Sequence, residues 1–215
     1  MSSDLHGKKI LIFGASTGIG AAVARRFGEL GGSITVHYNE SRTDAEAVMR
    51  RIQETGGVAS LLQGDIRDAD LAADLVDEAC RQMDGLDVVI NNAGTMFGRA
   101  AITDVADDQY RKVIDLNIGG VFFASRRAAA IMQDQRKGTI INTTSIAART
   151  GGGNGAGLYG AAKAFVSTFT RVLAKELAPF GVRVNAVAPG VIETPFHARY
   201  STAEQLEASR RSVPL

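Results

Sequence analysis

The sequence predicts an α/β fold in which a mostly parallel, doubly wound sheet is covered by helices on both faces, giving three layers. Short apolar runs alternate with amphipathic helical patterns along the chain of 215 residues. A glycine-rich turn follows the first apolar run, and polar residues or glycines directly follow most of the later ones. In such sheets ligands bind beyond the carboxyl ends of the strands. We therefore expect a single ligand-binding domain over residues 1–215.

The first unit is a strand, a glycine turn and a helix. The run KILIF is typical of a buried strand, and Gly14, Gly18 and Gly20 precede a helical pattern that ends at Gly31. Backbone N–H groups at a helix N-terminus bind phosphate, and glycines allow a close approach. The spacing is G-x-x-x-G-x-G rather than the commoner G-x-G-x-x-G, and such turns also serve only to pack a helix on a strand. In this position the turn favours a dinucleotide.

The second predicted strand, SITVHYN, ends where a dinucleotide fold meets the adenosine ribose. An acidic residue there would bind the free ribose of NAD, but this chain has Tyr38 followed by Asn39. Arg42 lies close by and favours the 2′-phosphate of NADP, although it is also explained as a solvated residue in the first turn of the next helix. Glu40 favours NAD. Together these residues predict NADP in preference to NAD.

The middle of the chain continues the alternation. Asp65 lies at the tip of the third predicted strand, Asp68 is a plausible N-cap for the third helix, and Asn91 begins the run NNAG directly after the fourth strand. A long helical region from Thr103 to Gln135 follows, with a break near Asp107. Within it Asn117 is a polar residue among apolar neighbours, so it is either a satisfied core amide or a site residue.

A hydroxyl, a phenol and an ammonium come together in the next segment. Ser145 closes the predicted fifth strand, and Tyr159 and Lys163 are four residues apart on the following helix, on one face. A positive charge beside a phenol lowers its pKa, and the serine can donate to a substrate oxygen, so the set suits proton transfer to an alcohol or carbonyl. The alternative is a packed ring beside a solvated lysine.

The last part of the chain contains a sixth strand, VRVNAVAPG, which Pro189 and Gly190 end at the same sheet edge. A loop and a short helix follow. Gly14–Gly20, Asp65, Asn91–Gly94 and Ser145 all come after predicted strands, so parallel pairing brings them to one edge.

Composition argues against several classes of function. The net charge is +1 and the chain contains no tryptophan, which disfavours nucleic-acid and membrane surfaces. The three histidines are far apart in the sequence, and the single cysteine allows no internal disulfide, so neither a metal site nor a disulfide framework is predicted. The polar N-terminus and the lack of a long apolar run predict a cytoplasmic protein.

Six motifs, in order, give the chain a resemblance to the short-chain dehydrogenase/reductase family. They are GASTGIG, NNAG, the Asn of DLN, INTTS, Y-x-x-x-K and APG, and the resemblance covers the chain from Lys8 onward. The 3-oxoacyl-[acyl-carrier-protein] reductase and sugar dehydrogenase branch is the most similar. The resemblance to the family implies a Rossmann fold and metal-free hydride transfer between NADP or NAD and a ketone or secondary alcohol.

The resemblance also implies residue roles. Tyr159 is the catalytic acid/base, Lys163 lowers its pKa and holds the nicotinamide ribose, Ser145 binds the substrate oxygen, and Asn117 supports a water in a proton relay. Further residues are implied to contact the pyrophosphate, the adenosine and the nicotinamide, and these are Gly14, Ser16, Gly18, Ile19, Gly20, Asp65, Ile66, Asn91, Ala93, Gly94, Pro189, Gly190, Ile192 and Thr194.

The chain departs from the family pattern at its end. It stops at SRRSVPL, whereas the family continues with a further helix and a seventh strand that completes the sheet. We therefore expect a truncated C-terminal part and a missing seventh strand. The resemblance implies a homo-oligomer, a tetramer or dimer, acting on a small-molecule carbonyl or alcohol. The alternative function is a non-catalytic dinucleotide-binding or regulatory member of the family.

Overall fold

The computed structural model describes residues 5–213. Six parallel strands form one sheet in the order β3-β2-β1-β4-β5-β6. The strands are β1 (Lys9–Phe13), β2 (Ser33–Tyr38), β3 (Val58–Gln63), β4 (Val88–Asn91), β5 (Gly138–Thr143) and β6 (Val182–Val187). The order reverses between β1 and β4, which creates the crevice where such sheets bind ligands. The predicted doubly wound parallel sheet is confirmed.

Nine α-helices connect and cover these strands within the described residues. They are α1 (Gly18–Glu29), α2 (Arg42–Glu54), α3 (Ala69–Met83), α4 (Asp107–Ile114), α5 (Val121–Gln135), α6 (Ala147–Thr150), α7 (Gly157–Leu177), α8 (Pro195–Tyr200) and α9 (Ala203–Ser212). Two 3₁₀ turns, Ile102–Asp104 and Ala178–Phe180, and a π-helical turn, Asp115–Gly120, complete the elements. None of these helices is long and apolar enough to cross a membrane.

The apolar strand β1 shows why the sheet is covered on both faces. Leu11 and Phe13 pack into a core with α3, α5 and α7, whereas Ile10 and Ile12 pack into a second core with α1 and α2. Successive strand residues point to opposite faces, so a run of apolar residues requires helices on both. This central strand carries the glycine turn to the carboxyl edge of the sheet.

Two segments differ in detail from the sequence-based expectation. The predicted break near Asp107 is the start of α4, and a π-helical turn then joins α4 to α5. After β6, the predicted loop and short helix are two helices, α8 and α9. Thr202 begins α9 with a capping box, because its hydroxyl accepts from the Gln205 N–H while the Gln205 side chain accepts from the Thr202 N–H.

Candidate active site

A cleft of about 820 Å³ runs along the carboxyl edge of the sheet. Most of the predicted site residues line it, namely Gly14, Ser16, Gly18, Ile19, Tyr38, Asn39, Asp65, Ile66, Ala93, Gly94, Ser145, Tyr159, Lys163, Pro189, Gly190, Ile192 and Thr194. A larger, more open groove of about 1070 Å³ lies beside α3 and contains none of them. Convergence at the strand ends therefore identifies the smaller cleft as the candidate site.

Ser145, Tyr159 and Lys163 lie together at one side of this cleft. Tyr159 is in the first turn of α7, and the Ser145 side chain lies near enough to lower the pKa of its phenol. Lys163 lies one turn further on and is 2% exposed, with its Nζ donating to the Thr143 carbonyl oxygen at 2.9 Å. The same nitrogen is 5.7 Å from the centroid of the Tyr159 ring. The alternative of a packed ring beside a solvated lysine is therefore excluded.

Burial dominates the protonation of this pair. It raises the pKa of Tyr159 to about 12, and the hydrogen bond to Ser145 offsets only part of that effect. Burial also lowers the pKa of Lys163 to about 8. In the protein alone, desolvation of the phenolate outweighs the other effects. The pKa of Tyr159 is therefore raised, whereas the sequence predicted that Lys163 lowers it. At neutral pH Tyr159 is a phenol that holds its proton.

Asn117 lies in the π-helical turn between α4 and α5 and is completely buried. Its Nδ2 donates to the carbonyl oxygens of Thr95 and Val113 at 2.7 and 2.9 Å, which fixes the orientation of the amide. Its Oδ1 has no hydrogen-bond partner among the described residues. An unpaired buried oxygen costs about 1–3 kcal/mol, and π-helical turns are frequent at functional sites. Asn117 is therefore not a satisfied core amide.

Gly94 packs directly against the unpaired oxygen. A Cβ atom at this position would lie 2.7 Å from Asn117 Oδ1 and 2.9 Å from Lys163 Nζ. Both distances are too short for a carbon atom, so only glycine allows these two polar groups to lie against the backbone here. Gly94 thus brings a buried lysine nitrogen and an unpaired amide oxygen to the same residue, just after β4.

The glycine turn is packed tightly against its neighbours. A Cβ atom on Gly20 would lie 2.2 Å from the Gly14 carbonyl oxygen, and one on Gly14 would lie 2.8 Å from Ala93 Cα. The Asn92 Nδ2 donates to the Gly14 carbonyl oxygen at 2.9 Å and so ties the turn to the end of β4. The turn therefore presents α1 to the cleft at a separation that larger side chains would prevent. This arrangement fits the pyrophosphate of a dinucleotide.

His37, near the end of β2, also fixes the turn. Its Nδ1 accepts from the Gly14 N–H at 3.2 Å, and its Nε2 is 3.1 Å from the Gly64 carbonyl oxygen, so the ring is neutral with its proton on Nε2. Burial lowers its pKa to about 4. No sequence signal singled out this histidine, because its importance depends on partners that are distant in the sequence. Asn92 lay within the stretch Asn91–Gly94 predicted to reach the sheet edge, but the sequence assigned it no contact.

The neutrality of His37 predicts a pH-dependent stability. Between pH 6.5 and about 4, His37 binds a proton in the unfolded chain but stays neutral in the folded protein. The contribution of His37 to the unfolding free energy is therefore complete above pH 6.5 and is lost as the pH falls. At 1.36 kcal/mol per pKa unit the loss approaches about 3 kcal/mol. Urea unfolding at pH 7.5 and 4.5 should give a smaller pH-dependent loss for His37→Asn than for the unaltered protein. Equal losses would contradict this role of His37.

Two residues predicted to contact the cofactor at the adenosine end, Arg42 and Asn91, do not line the cleft. Arg42 does not line the cleft, since its Nε donates to Glu46 at 2.8 Å on α2. Asn91 does not line it either, because its Nδ2 donates to Ser125 Oγ and Asn142 Oδ1, both at 2.8 Å, in the core beneath the sheet edge. Glu40 does line the cleft. The polar residues that line this end of the cleft are therefore Asn39, Glu40, Ser41, Asp65 and Arg67, and Arg42 is not among them.

Asp65 is held at the cleft by Arg67, a residue that the sequence did not single out. The Arg67 Nε lies 2.8 Å from Asp65 Oδ2, and its Nη2 makes a second bond to the same oxygen. The guanidinium lowers the pKa of Asp65, so the carboxylate stays ionised. Ile66, the other predicted adenine neighbour, lines the cleft beside it.

The segment after β6 covers the cleft beside Tyr159. The Phe196 ring centroid is 5.6 Å from that of Tyr159 and 5.1 Å from that of Tyr200. Thr95 Oγ1 donates to the Tyr200 hydroxyl at 2.8 Å, which links this segment to the end of β4. Together α8, α9 and the end of β4 form a wall beside Tyr159.

A family comparison and two curated relatives agree with this geometry. The model of the short chain dehydrogenase family matches residues 8–205. The chain is 37% identical to 3beta-hydroxysteroid dehydrogenase 1 of Eggerthella lenta, with 100% of this chain and 82% of that protein covered. It is 41% identical to the 3-oxoacyl-[acyl-carrier-protein] reductase of a Synechocystis species, covering 88% of this chain and 76% of that protein.

Solved structures with bound cofactors have the same fold. One is the NADH-dependent reductase A1-R' complexed with NAD, with a TM-score of 0.84, 35% identity, and coverage of 90% of this chain and 82% of that chain. Another is a short chain dehydrogenase from Burkholderia cenocepacia in complex with NADP, with a TM-score of 0.84, 33% identity, and coverage of 91% and 81%. The chain thus belongs to the short-chain dehydrogenase/reductase family and is a nicotinamide-dependent oxidoreductase.

Proposed function

We propose that this protein catalyses hydride transfer between a nicotinamide cofactor and a ketone or secondary alcohol, with Tyr159 as the general acid or base. The observation that carries the proposal is that Ser145, Tyr159 and the buried Lys163 line one cleft together with the glycine turn, with Lys163 Nζ 5.7 Å from the centroid of the Tyr159 ring. A bound cofactor supplies or accepts the hydride. The residues proposed to hold it are Gly14, Ser16, Gly18, Ile19, Asp65, Ile66, Ala93, Gly94, Lys163, Pro189, Gly190, Ile192 and Thr194.

Proton transfer follows from the protonation of the site. In the reducing direction the Tyr159 hydroxyl, with a pKa raised to about 12, is a filled donor at neutral pH, and it gives its proton to the carbonyl oxygen as that oxygen gains negative charge. The Ser145 hydroxyl donates a hydrogen bond to the same oxygen and holds it in line with the phenol. Such proton transfer contributes roughly 100- to 10,000-fold to the rate.

The phenolate formed in this step must recover its proton from solvent. We assign this task to Lys163 and Asn117, whose Nζ and unpaired Oδ1 both lie against Gly94. A water molecule bound to both groups would receive a hydrogen bond from the ammonium and donate one to Asn117. With its pKa lowered to about 8, Lys163 exchanges protons more readily near neutral pH than an exposed lysine does.

Turnover with a panel of ketones and NADH or NADPH tests the proposal. We expect consumption of the reduced cofactor with formation of the alcohol. Tight cofactor binding without turnover of any ketone or secondary alcohol would instead favour a non-catalytic dinucleotide-binding protein. No observation in the site favours that alternative, since all three residues of the proton-transfer set are present and line the same cleft.

We propose NAD as the preferred cofactor, in place of the NADP predicted from Arg42. Glu40 lines the cleft and suits a free ribose, whereas Arg42 is bonded to Glu46 outside it. Fluorescence titration should show NADH binding roughly tenfold more tightly than NADPH, and Glu40→Gln should reduce that ratio. Arg42→Gln is the matched control and should leave both affinities unchanged. Tighter binding of NADPH that Arg42→Gln abolishes would restore the original prediction.

Assembly and location stay predictions. We propose a homo-oligomer, a tetramer or dimer, which light scattering of the purified protein tests directly, and a monomer at micromolar concentration would contradict it. The cytoplasmic location predicted from the sequence is tested by fractionation of the source cells.

A further inference from the structure

Charge is unevenly distributed along the cleft. Among the described residues that line it, the carboxylates are Glu40 and Asp65, and both follow strands on the β2–β3 half of the sheet. The other half, beyond β4, β5 and β6, is lined by Arg99, His197 and Arg199 in addition to the buried lysine, and by no carboxylate. The half of the cleft next to Tyr159 is therefore electropositive.

Arg99 bridges the segments that wall this half. Its Nε donates to the Tyr200 carbonyl oxygen at 2.5 Å, and its Nη1 donates to the Asn154 carbonyl oxygen at 2.8 Å. A guanidinium has five N–H donors, so three remain, two of them on Nη2. Arg99 forms no ion pair with any residue between 5 and 213. The positive charge of Arg99 is therefore not neutralised by a carboxylate among the described residues. One edge of its guanidinium group is also free to bind a ligand.

The other arginine at the cleft behaves differently. Arg67 makes a forked ion pair with Asp65, so its charge is neutralised within the protein. Arg199, by contrast, makes no hydrogen bond or ion pair with a described residue and lies two residues from His197 on α8. The positive charge of Arg99 also reaches His197, where it lowers the pKa of the imidazole together with burial. The charged groups of this wall thus lack an anion.

The wall lies close to the reacting group. Arg99 bonds the backbone of Tyr200, whose ring is 5.1 Å from that of Phe196, and the Phe196 ring is in turn 5.6 Å from that of Tyr159. A small molecule with its carbonyl oxygen at Tyr159 would therefore extend along this wall. An anionic group a few carbon atoms away would reach the free guanidinium edge.

We propose that the substrate carries a carboxylate in addition to its ketone or alcohol, and that Arg99 binds this carboxylate through its free guanidinium edge while Arg199 adds positive charge. This inference rests on the proposed function and specifies its substrate class. The planar guanidinium matches a carboxylate with two parallel hydrogen bonds, which gives orientation as well as affinity. The two carbonyl bonds hold Arg99 in place before the substrate arrives.

The test compares oxo acids with their methyl esters. A series from 2-oxohexanoate to 5-oxohexanoate places the carboxylate at four distances from the ketone, and each acid has a neutral partner of nearly the same shape. We expect kcat/KM for the best acid to exceed that of its ester by at least roughly tenfold. Arg99→Gln should lower kcat/KM for the acid by roughly 10- to 100-fold and change that for the ester by less than about twofold.

Two further variants separate recognition from a structural effect. Arg199→Gln removes no hydrogen bond or ion pair among residues 5–213 and should lower kcat/KM for the acid by roughly threefold, a change that does not depend on the Arg99 bridge. Arg50→Gln on α2 removes a charge outside the cleft and should change kcat/KM for neither the acid nor the ester. The affinity for NADH should be the same in all three variants. Hydroxyacetone phosphate, compared with hydroxyacetone, separates a carboxylate site from a general anion site.

The outcomes distinguish this inference from the proposed function. Equal kcat/KM for acid and ester, or an equal loss of both in Arg99→Gln, would overturn the carboxylate site while leaving ketone reduction intact. A preference for the phosphate over the acid would also overturn it. Calorimetric binding of the acids that depends on Arg99, without reduction of any ketone, would support the site and refute the proposed function.

Discussion

Replacing Tyr159 by phenylalanine is expected to lower kcat by roughly 100- to 10,000-fold, because it removes the hydroxyl proposed to give its proton to the substrate oxygen. The ring and its packing against Phe196 are retained, with a centroid distance of 5.6 Å in the unaltered protein. The affinity for NADH and the unfolding free energy should therefore change little. Steady-state turnover of a ketone measures kcat, and titration with NADH measures the affinity for the cofactor.

The matched control for this variant is Tyr110→Phe. Tyr110 is 51% exposed and lies on α4 outside the cleft, so the same loss of a hydroxyl should leave turnover within about twofold of the unaltered protein. A Tyr159→Phe protein that keeps at least half of the original kcat would remove Tyr159 from the mechanism. A large loss in both variants would point to a general effect of the substitution.

Replacing Gly20 by alanine is expected to disrupt the glycine turn. The added Cβ atom would lie 2.2 Å from the Gly14 carbonyl oxygen and 2.6 Å from Asn92 Nδ2, so α1 must move away from the turn. Overpacking of this kind costs about 1–3 kcal/mol of stability. The movement also displaces the backbone N–H groups proposed to bind the pyrophosphate, so we expect the affinity for NADH to fall by at least roughly tenfold.

Gly119→Ala provides the control for the added methyl group. Its Cβ atom would meet nothing closer than Phe123 Cε2 at 3.6 Å, which is an ordinary contact. Urea unfolding should show little change in the unfolding free energy, and titration should show little change in the affinity for NADH. Unchanged NADH affinity in Gly20→Ala would mean that the close packing of the turn serves the fold alone.

Much of the architecture was predictable because its signals are local. The run KILIF is apolar on both faces, and this requires a central strand with helices on each side, as the two cores around β1 confirm. Asp68 was predicted as an N-cap, and its carboxylate accepts from the N–H groups of Asp70 and Leu71. Strand ends and helix starts of this kind depend on neighbouring residues.

The contacts at the site were less predictable because they depend on distant partners. Arg42 has a side chain that suits a 2′-phosphate, but in the structure it makes a salt bridge with Glu46 one turn along its own helix and does not line the cleft. Asn91 occupies the predicted strand end, yet strand alternation turns its side chain into the core. The position of a residue along the sequence thus located the sheet edge correctly without giving the direction of its side chain.

The protonation of the site shows a similar limit. The spacing of Tyr159 and Lys163 indicated that an ammonium lies near the phenol, but not that both groups are buried. Their burial reverses the expected direction for the tyrosine, raising its pKa to about 12. Asn117 was ambiguous in the sequence, and only the unpaired Oδ1 beside Gly94 distinguishes it from a core amide.

The most direct test of the central claim follows a deuterium label from the cofactor into the product. The protein is incubated with a ketone and NADH deuterated at C4 of the nicotinamide on the transferred face, and the alcohol is analysed by mass spectrometry. The account predicts one deuterium on the carbinol carbon, with the hydroxyl proton coming from solvent, and a rate that falls at least roughly 100-fold in Tyr159→Phe. An alcohol without deuterium, or equally fast labelling by Tyr159→Phe, would contradict it.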